Sequence, residues 1–266
     1  FKNKAANKNC FVLDFHGDIK ATEVQQLREE ISTLLTVAQA EDEVIVRLES
    51  SGGMVHAYGL AAAQLARIKE AGLNLTVCID KVAASGGYMM ACVADKILAA
   101  PFAVVGSIGV VAQVPNFHDL LEKHDIDVEV FTAGKYKRTV TVFGENTEED
   151  KQKFQQELEE THKLFKDFVR KYRPSLDVEQ VATGEHWYGE DAITRNLVDA
   201  LQTSDSYILE KMTDSELYAI QSRQKPTIAQ KLGISQAAQA VVATAIDKLP
   251  DTLAKLESAK MPMVKK

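Results

Sequence analysis

Ser85 is the residue of this 266-residue chain whose surroundings most resemble a reactive site. It lies in the small-residue stretch Ala83-Ala84-Ser85-Gly86-Gly87, between the apolar run Leu75 to Ile79 and an apolar helical pattern. This pattern predicts a strand-to-helix turn, where a hydroxyl stands clear of the backbone and unpaired helix N–H groups lie nearby. That geometry suits a nucleophile. It also suits a serine that only caps a buried helix.

Two further small-residue turns accompany predicted strands. Ser50-Ser51-Gly52-Gly53 follows the run Val44 to Leu48, and Gly106-Ser107-Ile108-Gly109 lies within the apolar stretch Val104 to Val111. In a parallel α/β sheet, the carboxyl ends of strands converge on a crevice that binds ligands. The three turns therefore predict one shared site, although plain turn chemistry also explains each of them.

A serine nucleophile needs a base, and a lysine is favoured over a histidine here. Lysine acts as a base only when neutral, a state that burial or neighbouring cations favour. Lys137 has Lys135 and Arg138 beside it among apolar residues, although such a run is also typical of a solvated surface. Lys81, four residues before Ser85, is the rival base. No histidine falls on a predicted strand-end turn beside a carboxylate; the six are His16, His56, His118, His124, His162 and His186.

The hydrophobic periodicity predicts alternating strands and helices. Strands are expected at Phe11 to Phe15, Val44 to Leu48, Leu75 to Ile79, Val104 to Val111 and Val128 to Thr132. A helix of about four turns is expected after a capping box at Thr22, and a long helix after Thr147. Short β-α connections favour an α/β fold with a mostly parallel sheet and right-handed crossovers.

Composition limits the function classes. The chain is 45% hydrophobic with a net charge of -7, which is ordinary for a globular protein and argues against a nucleic-acid binder. Cys10, Cys78 and Cys92 lack metal-like spacing and are interpreted as core or free thiols. No apolar run reaches the roughly 18 residues of a membrane helix. The chain begins with Phe1, as a piece of a longer or processed protein would, so an upstream anchor is compatible with it.

Three segments are predicted: a polar tail at residues 1–10, a catalytic domain at 11–222, and basic C-terminal helices at 223–266. The last segment has eight Lys or Arg against three Asp or Glu. Its apolar stripe and basic face suit an anionic membrane surface. A weakly ordered tail, or a helix packed on a neighbouring subunit, is the alternative.

Four separate motifs resemble those of a known family. They are LESSGGMVHAYG, DKVAASGGYMMACVADKI, VVGSIGVVAQ and AGKYKR. Together they resemble the SohB branch of the signal peptide peptidase A family, over about Phe11 to Leu201. The resemblance implies a ClpP/crotonase-like fold and a membrane-associated Ser/Lys endopeptidase that uses no cofactor or metal. Its substrates would be hydrophobic or signal-peptide-like fragments.

The resemblance also assigns roles to individual residues. It implies that Ser85 is the nucleophile, that Lys137 is the general base and that the Ser107 hydroxyl orients this lysine. The N–H groups of Gly53 and Gly86 match the oxyanion-hole positions. Ser51 stands where proline is common in the family, which loosens the turn that carries Gly53.

Assembly and location are likewise expectations from the resemblance. It implies a homo-oligomeric ring, of eight subunits, in which Ser85 of one subunit meets Lys137 of the next. The catalytic domain is expected at the bacterial inner membrane, facing the periplasm. The alternatives are a crotonase-like acyl-CoA enzyme, which shares the backbone oxyanion hole, and an inactive peptide-binding scaffold.

Substrate binding is predicted from the residues just beyond two of the turns. Met54-Val55 and Val110-Val111 can offer backbone edges for strand addition, with apolar pockets between them. Hydrophobic peptides in an extended conformation are therefore the expected partners.

Overall fold

Strands and helices alternate along the chain, in a computed structural model that describes residues 8–222. Within these residues the strands are β1 (Asn9–Gly17), β2 (Glu43–Ser50), β3 (Asn74–Ile79), β4 (Val82–Ala84), β5 (Lys96–Ala99), β6 (Val104–Gly106), β7 (His186–Tyr188), β8 (Ala200–Leu201) and β9 (Glu216–Ala219). The helices are α1 (Val24–Leu34), α2 (Val55–Glu70), α3 (Gly86–Ala91), α4 (His118–Glu122), α5 (Glu148–Tyr172), α6 (Val178–Val181), α7 (Gly189–Thr194) and α8 (Ser204–Lys211).

The strands form a mostly parallel sheet with β2 at its centre. β2 pairs in parallel with β1 and β3 along most of its length, and with β4 through Ser50 and Ala83 at its end. From β4 the sheet continues to β6, and from β3 to β5 and β8. Among the described strands, β7 on β6 is the antiparallel pair. The predicted α/β fold is confirmed.

The core follows from residue alternation in the strands. Side chains of a strand alternate between the two faces of a sheet, so one set of β2 residues packs beneath α1 and α2. This set is Val44, Val46 and Leu48. Ile45 faces the other way, into a smaller cluster beneath α8.

The three cysteines are buried free thiols, as predicted. Burial raises the pKa of Cys10 to about 12 and that of Cys78 to about 12. A thiol that stays protonated is a poor nucleophile, so these residues behave as small core side chains.

The start of the chain differs from the prediction in two details. β1 begins at Asn9, so the last residues assigned to the tail belong to the sheet. α1 has three turns and no side-chain cap at its start. Thr22 does not cap it, because its N–H and hydroxyl donate to the Asp18 carboxylate in the preceding turn, at 2.8 and 3.0 Å.

Two predicted strands are absent or shorter. Residues 128–132 are exposed coil, although Val128 and Val130 alternate with polar residues as in a strand. In the described part of the chain no sheet edge pairs with them, and β propensity without such packing does not make a strand. β6 ends at Gly106, short of the predicted Val111.

Helix α5 is fixed at both ends. Thr147 caps its start, as the sequence predicts, and also forms a capping box with Asp150. Arg173 at its end binds the Asp199 carboxylate at 2.7 and 2.9 Å. Phe165 and Val169 in its second half are buried, whereas the first half is more exposed. The second half of α5 is therefore packed firmly against the rest of the domain.

The basic segment 223–266 lies outside the described residues, as do residues 1–7 of the tail. Among the helices of residues 8–222, none combines the length and apolar character needed to cross a membrane.

Candidate active site

Three adjacent strands end side by side and place the three small-residue turns together. Ser50 of β2 pairs with Ala83 of β4, and Ala84 of β4 pairs with Gly106 of β6. The turns that follow are in contact, since Ser85 N–H donates to Gly106 O at 2.8 Å. The predicted convergence is therefore present. The strand before Ser85 is the short β4, however, and the predicted run from Leu75 to Ile79 forms the separate strand β3.

Ser85 has an unusual backbone conformation. Its φ is 52° and its ψ is −119°, in a region that non-glycine residues rarely adopt. Such a conformation costs about 1–3 kcal/mol and persists where the surrounding structure imposes it. Although Ser85 occupies the N-cap position of α3, its side chain accepts no capping hydrogen bond. The hydroxyl is half-buried and its position does not serve the helix, so the capping interpretation is not supported.

The turns approach so closely that only glycine fits at two positions. A Cβ on Gly52, whose φ is 88°, would lie 2.6 Å from the Gly86 backbone nitrogen. A Cβ on Gly86 would overlap the Tyr58 ring. The absence of side chains lets the backbone of one turn lie directly against that of the next.

Two backbone N–H groups beside Ser85 have no acceptor within the described residues. The Gly53 N–H is unpaired, and Gly86 is the first residue of α3, where an N–H has no intrahelical partner. Both glycines line the same cavity as Ser85. Unpaired donors at a half-buried hydroxyl are the arrangement that can stabilise an oxyanion.

The cavity beside Ser85 is an apolar slot of about 260 Å³. Met89 of α3 and Val55 of α2 form part of its lining, and the second half of α5 adds another part. Gly59 also lines it, where an added Cβ would meet nothing within 4 Å. The residues that α5 contributes are Thr161, Leu164, Phe165 and Phe168. A large apolar side chain could occupy this slot.

The remaining predicted binding residues lie around the slot mouth. Val110 lines the slot, whereas Val111 is 90% exposed. Met54 and Val55 are partly exposed at the start of α2. Met54-Val55 is not a free strand edge, because Met54 N–H donates to Ile19 O at 2.8 Å and Met54 O accepts the Ala57 and Tyr58 N–H groups as α2 begins. Strand addition at Met54-Val55 is therefore wrong, and Val110-Val111, which lie outside the described helices and strands, remain the candidate edge.

Ser107 lies on the turn next to Ser85. Its φ is 51°, and its N–H donates to Glu185 O at 2.6 Å. The side chain is half-buried. Since β6 is adjacent to β4, Ser107 follows its strand at the same edge at which Ser85 follows β4.

Lys137 is not part of the slot of its own chain. It is exposed, its N–H donates to Gly134 O at 3.1 Å, and it lines a different cavity of about 590 Å³ together with residues 128–133. Its neighbour Lys135 binds Glu149 at 2.8 Å, an interaction that raises the pKa of Lys135 and keeps it charged. One chain alone therefore does not bring Lys137 to Ser85.

The rival bases are not in the slot either. Lys81 binds Glu49 at 2.9 Å and lines a cavity on the open face of the sheet. None of the six histidines, all of which the structure describes, lines the slot.

One group of described side chains has the donor set of a metal site. The ligand atoms of His118, Asp119 and Glu122 on α4 lie within 4.8 Å of one another. Both carboxylates are exposed, and the group does not line the slot.

Sequence reasoning missed the slot walls and the residue beneath them. Phe165 and Phe168 belong to the apolar stripe of α5, but periodicity does not distinguish a core stripe from the wall of a pocket. Tyr58, fully buried behind Gly86, lies in α2 just after the first turn. Its position three residues after Val55 was the available signal, because it places Tyr58 one helical turn from the site.

Comparisons with known proteins agree with this geometry. The family model described as peptidase family S49 matches residues 67–218, and the model of its N-terminal region matches residues 1–65. A probable protease SohB of Haemophilus influenzae is 64% identical over 227 residues, which cover 85% of this chain and 64% of the relative. A probable protease SohB of Buchnera aphidicola from Acyrthosiphon pisum is 58% identical, over 82% of this chain and 65% of the relative.

The chain thus spans somewhat less than two thirds of the length of these two relatives. A solved structure of a mutant 1510-N membrane-bound stomatin-specific protease has a TM-score of 0.53 and 12% identity, covering 82% of this chain and all of that one. At this identity the likeness concerns the fold. The family match and the close relatives together show that the chain belongs to peptidase family S49, in its SohB branch.

Proposed function

We propose that this chain is the catalytic part of a serine endopeptidase in which Ser85 is the nucleophile. The observation that carries the proposal is the strained Ser85, whose side chain does not cap α3, beside an apolar slot and two N–H groups that find no acceptor in the described part of the chain. Strained residues of this kind cluster at active sites. Membership of a peptidase family supports the same reaction class.

The proposed reaction begins with attack of Ser85 Oγ on a peptide carbonyl carbon. A neutral base accepts the hydroxyl proton as the C–O bond forms. The carbonyl oxygen becomes an oxyanion and accepts hydrogen bonds from Gly53 and Gly86 N–H. Collapse breaks the C–N bond, and the leaving amine takes the proton from the base. Water then hydrolyses the Ser85 ester by the same steps, which restores the hydroxyl.

Lys137 of a neighbouring copy is the proposed base, with Ser107 orienting its amine. Lys137 is exposed and absent from the slot of its own chain, which supports a site shared between copies. The segment 107–147 that carries Lys137 also exposes many large apolar side chains, which a ring would cover. They are Val111, Val114, Phe117, Leu120, Ile126, Val128, Val130, Phe131, Tyr136 and Phe143.

Hydrophobic peptides are the proposed substrates. The slot is lined almost entirely by apolar side chains, with Thr161 and Ser85 as its hydroxyl groups. The substrate backbone would pair as an added strand with Val110-Val111, and a substrate side chain would enter the slot beside Val55. An extended peptide fits this arrangement, whereas a folded protein would first have to open.

Membrane association is proposed for the basic segment 223–266, with the catalytic domain at the inner membrane and facing the periplasm. Eight Lys or Arg against three Asp or Glu favour an anionic lipid surface. Co-sedimentation with anionic liposomes is expected for the full chain, and weaker binding for a chain that ends at Ser222. Equal binding by the two would contradict this role.

Labelling with a fluorophosphonate tests the central proposal. The wild-type chain is expected to be labelled at Ser85, and Ser85→Ala is expected to remain unlabelled. Ser175→Ala, which removes an exposed serine elsewhere, serves as the control and should be labelled like the wild type. Peptide binding without labelling or cleavage would instead favour an inactive scaffold, and cleavage of acyl-CoA thioesters a crotonase-like enzyme.

A further inference from the structure

Tyr58 lies directly behind the candidate site, with its hydroxyl between two loops. The side chain is fully buried. Its Oη is 2.7 Å from Asp18 O in the loop after β1, and 2.5 Å from Ser50 Oγ at the end of β2. Ser50 Oγ in turn lies 3.0 Å from the Gly52 nitrogen. One tyrosine therefore joins two segments that are distant in sequence.

The directions of these hydrogen bonds follow from counting protons. The Asp18 carbonyl has no proton, so Tyr58 donates its single proton there. Ser50 must then donate to Tyr58 Oη and accept the Gly52 N–H. The other possible acceptor for Ser50, Gly17 O, is farther away at 3.3 Å. The result is one continuous series of hydrogen bonds, in which Gly52 donates to Ser50, Ser50 to Tyr58, and Tyr58 to the Asp18 carbonyl.

Burial of Tyr58 keeps these hydrogen bonds intact over a wide pH range. It raises the pKa of the Tyr58 hydroxyl above its ordinary value, although the Ser50 hydrogen bond opposes the shift. The phenol therefore retains its proton throughout the range in which a peptidase is assayed.

The two ends of this hydrogen-bond series lie on either side of Gly53. Gly52 at one end is the residue before it. At the other end, Asp18 is followed by Ile19, whose carbonyl accepts the Met54 N–H at 2.8 Å. A Cβ on Gly53 would overlap the Ile19 carbonyl, so the two segments lie in close contact. The direction of the Gly53 N–H is thus set from both sides.

The ring of Tyr58 supports the second N–H group. Gly86 lies so close to the ring that an added Cβ would overlap it. The Tyr58 ring thus packs against Gly86, and the Tyr58 hydroxyl binds the two segments that flank Gly53. One side chain therefore supports both candidate oxyanion donors.

We propose that Tyr58 is a positioning residue that fixes the Gly53 and Gly86 N–H groups for oxyanion binding, an inference that rests on the proposed function. The turn needs such support because Ser51, Gly52 and Gly53 leave its backbone conformationally free. The hydrogen-bond series through Tyr58 restricts it. Preorganised donors gain their effect from being held in place before the charge develops.

Tyr58→Phe tests the role of the hydroxyl, since it keeps the ring against Gly86. We expect kcat to fall roughly 10- to 100-fold while KM changes by less than about threefold, because misplaced donors weaken transition-state binding more than substrate binding. Ser50→Ala should cause a similar loss. The double variant should be little worse than either single one, since both interrupt the same hydrogen-bond series.

Tyr207→Phe is the matched control. It removes another buried tyrosine hydroxyl, which donates to Glu43 at the opposite end of β2. Its kcat should equal that of the wild type even if its Tm is lower. All rates are measured well below the lowest Tm, so that loss of folded protein does not contribute.

A peptide aldehyde provides a second readout, since its adduct with serine carries the oxyanion. Tyr58→Phe should weaken aldehyde inhibition by the same factor as kcat/KM. Wild-type kcat and aldehyde affinity in Tyr58→Phe, with Ser85→Ala inactive, would overturn the positioning role and leave the proposed function intact. Full activity of Ser85→Ala would overturn both.

Discussion

The two ends of strand β2 differ in how far their polar groups are hydrogen-bonded. At its carboxyl end, beside Ser85, the turns consist of small residues and a serine is held in a strained conformation. Two N–H groups there lack acceptors among residues 8–222. At its amino end, Glu43 accepts hydrogen bonds from Lys211, Thr76 and Tyr207 at 2.6, 2.6 and 2.7 Å. The two ends are roughly 23 Å apart along one strand.

The amino end is a satisfied polar network. Burial raises the pKa of the Glu43 carboxyl, but its hydrogen bonds from Lys211, Thr76 and Tyr207 outweigh this and lower the pKa overall. Burial, together with the hydrogen bond to the Glu43 carboxylate and its charge, raises the pKa of Tyr207 to about 12. Each group meets a partner, so the network stabilises the fold. Unsatisfied donors at the other end cost stability and provide binding capacity instead.

Substitutions beside the carboxyl end of β2 should therefore reduce activity, and those at its amino end should reduce stability. The largest loss of activity is expected for Ser85→Ala. Loss of the nucleophile should reduce peptide hydrolysis by at least about 10⁴-fold. The Tm should stay within a few degrees, since the hydroxyl caps nothing. Hydrolysis of a fluorogenic apolar peptide and a thermal melt measure the two quantities. A variant that is inactive because it is unfolded would contradict the comparison.

Lys137→Ala should cause the next largest loss, of about 10³-fold or more, if this lysine is the base. Mixing it with Ser85→Ala should restore part of the activity, because one interface then combines an intact Ser85 with an intact Lys137. Lys81→Ala is the matched control and should remain active, since Lys81 binds Glu49 outside the slot. If exchanged subunits recover nothing, a shared site is wrong.

Activity should depend on pH through the base. Only a neutral amine accepts the Ser85 proton, so kcat/KM should rise with pH and be lost in acid. Rates across about pH 5 to 9 provide the measurement, with folding followed in parallel by circular dichroism. A constant rate over that range would argue against a lysine base.

Gly59→Leu should alter specificity with little effect on folding. An added side chain would point into the open slot, and replacement of a helical glycine favours α2 by about 0.5–1 kcal/mol. Peptides with a large apolar residue at the cut should be hydrolysed roughly 10- to 100-fold more slowly, whereas those with alanine should be affected less. Equal losses for both peptides would indicate that the slot does not hold the side chain next to the cut.

Glu43→Gln should have the smallest effect on activity and should act on stability alone. Loss of the charge opposite Lys211 is expected to lower the free energy of unfolding by about 1–3 kcal/mol, with kcat unchanged. Because folding lowers the pKa of Glu43 below its usual 4.5, its contribution is present above that pH and is lost as the pH falls below it. Urea unfolding of the wild type and of Glu43→Gln should give different free energies of unfolding at neutral pH. The two values should converge in acid.

The sequence predicted much of this molecule because several of its patterns are local. Short apolar runs indicated β1 and β2, Thr147 indicated the start of α5, and the small-residue turns marked the candidate site. Glycine and serine at a turn report a backbone requirement that their immediate neighbours impose. For the same reason Ser85 could be selected before any contact was known.

Only the tertiary structure decided which distant groups meet. Residues 128–132 have the alternation of a strand but no neighbouring edge among the described residues, and Thr22 lost its capping role to Asp18. The Tyr58 hydroxyl joins residues 40 and 8 positions away, and α5 supplies a slot wall more than seventy positions after Ser85. Such contacts depend on how the chain closes its loops around the core, and a periodic pattern carries no information about its partner.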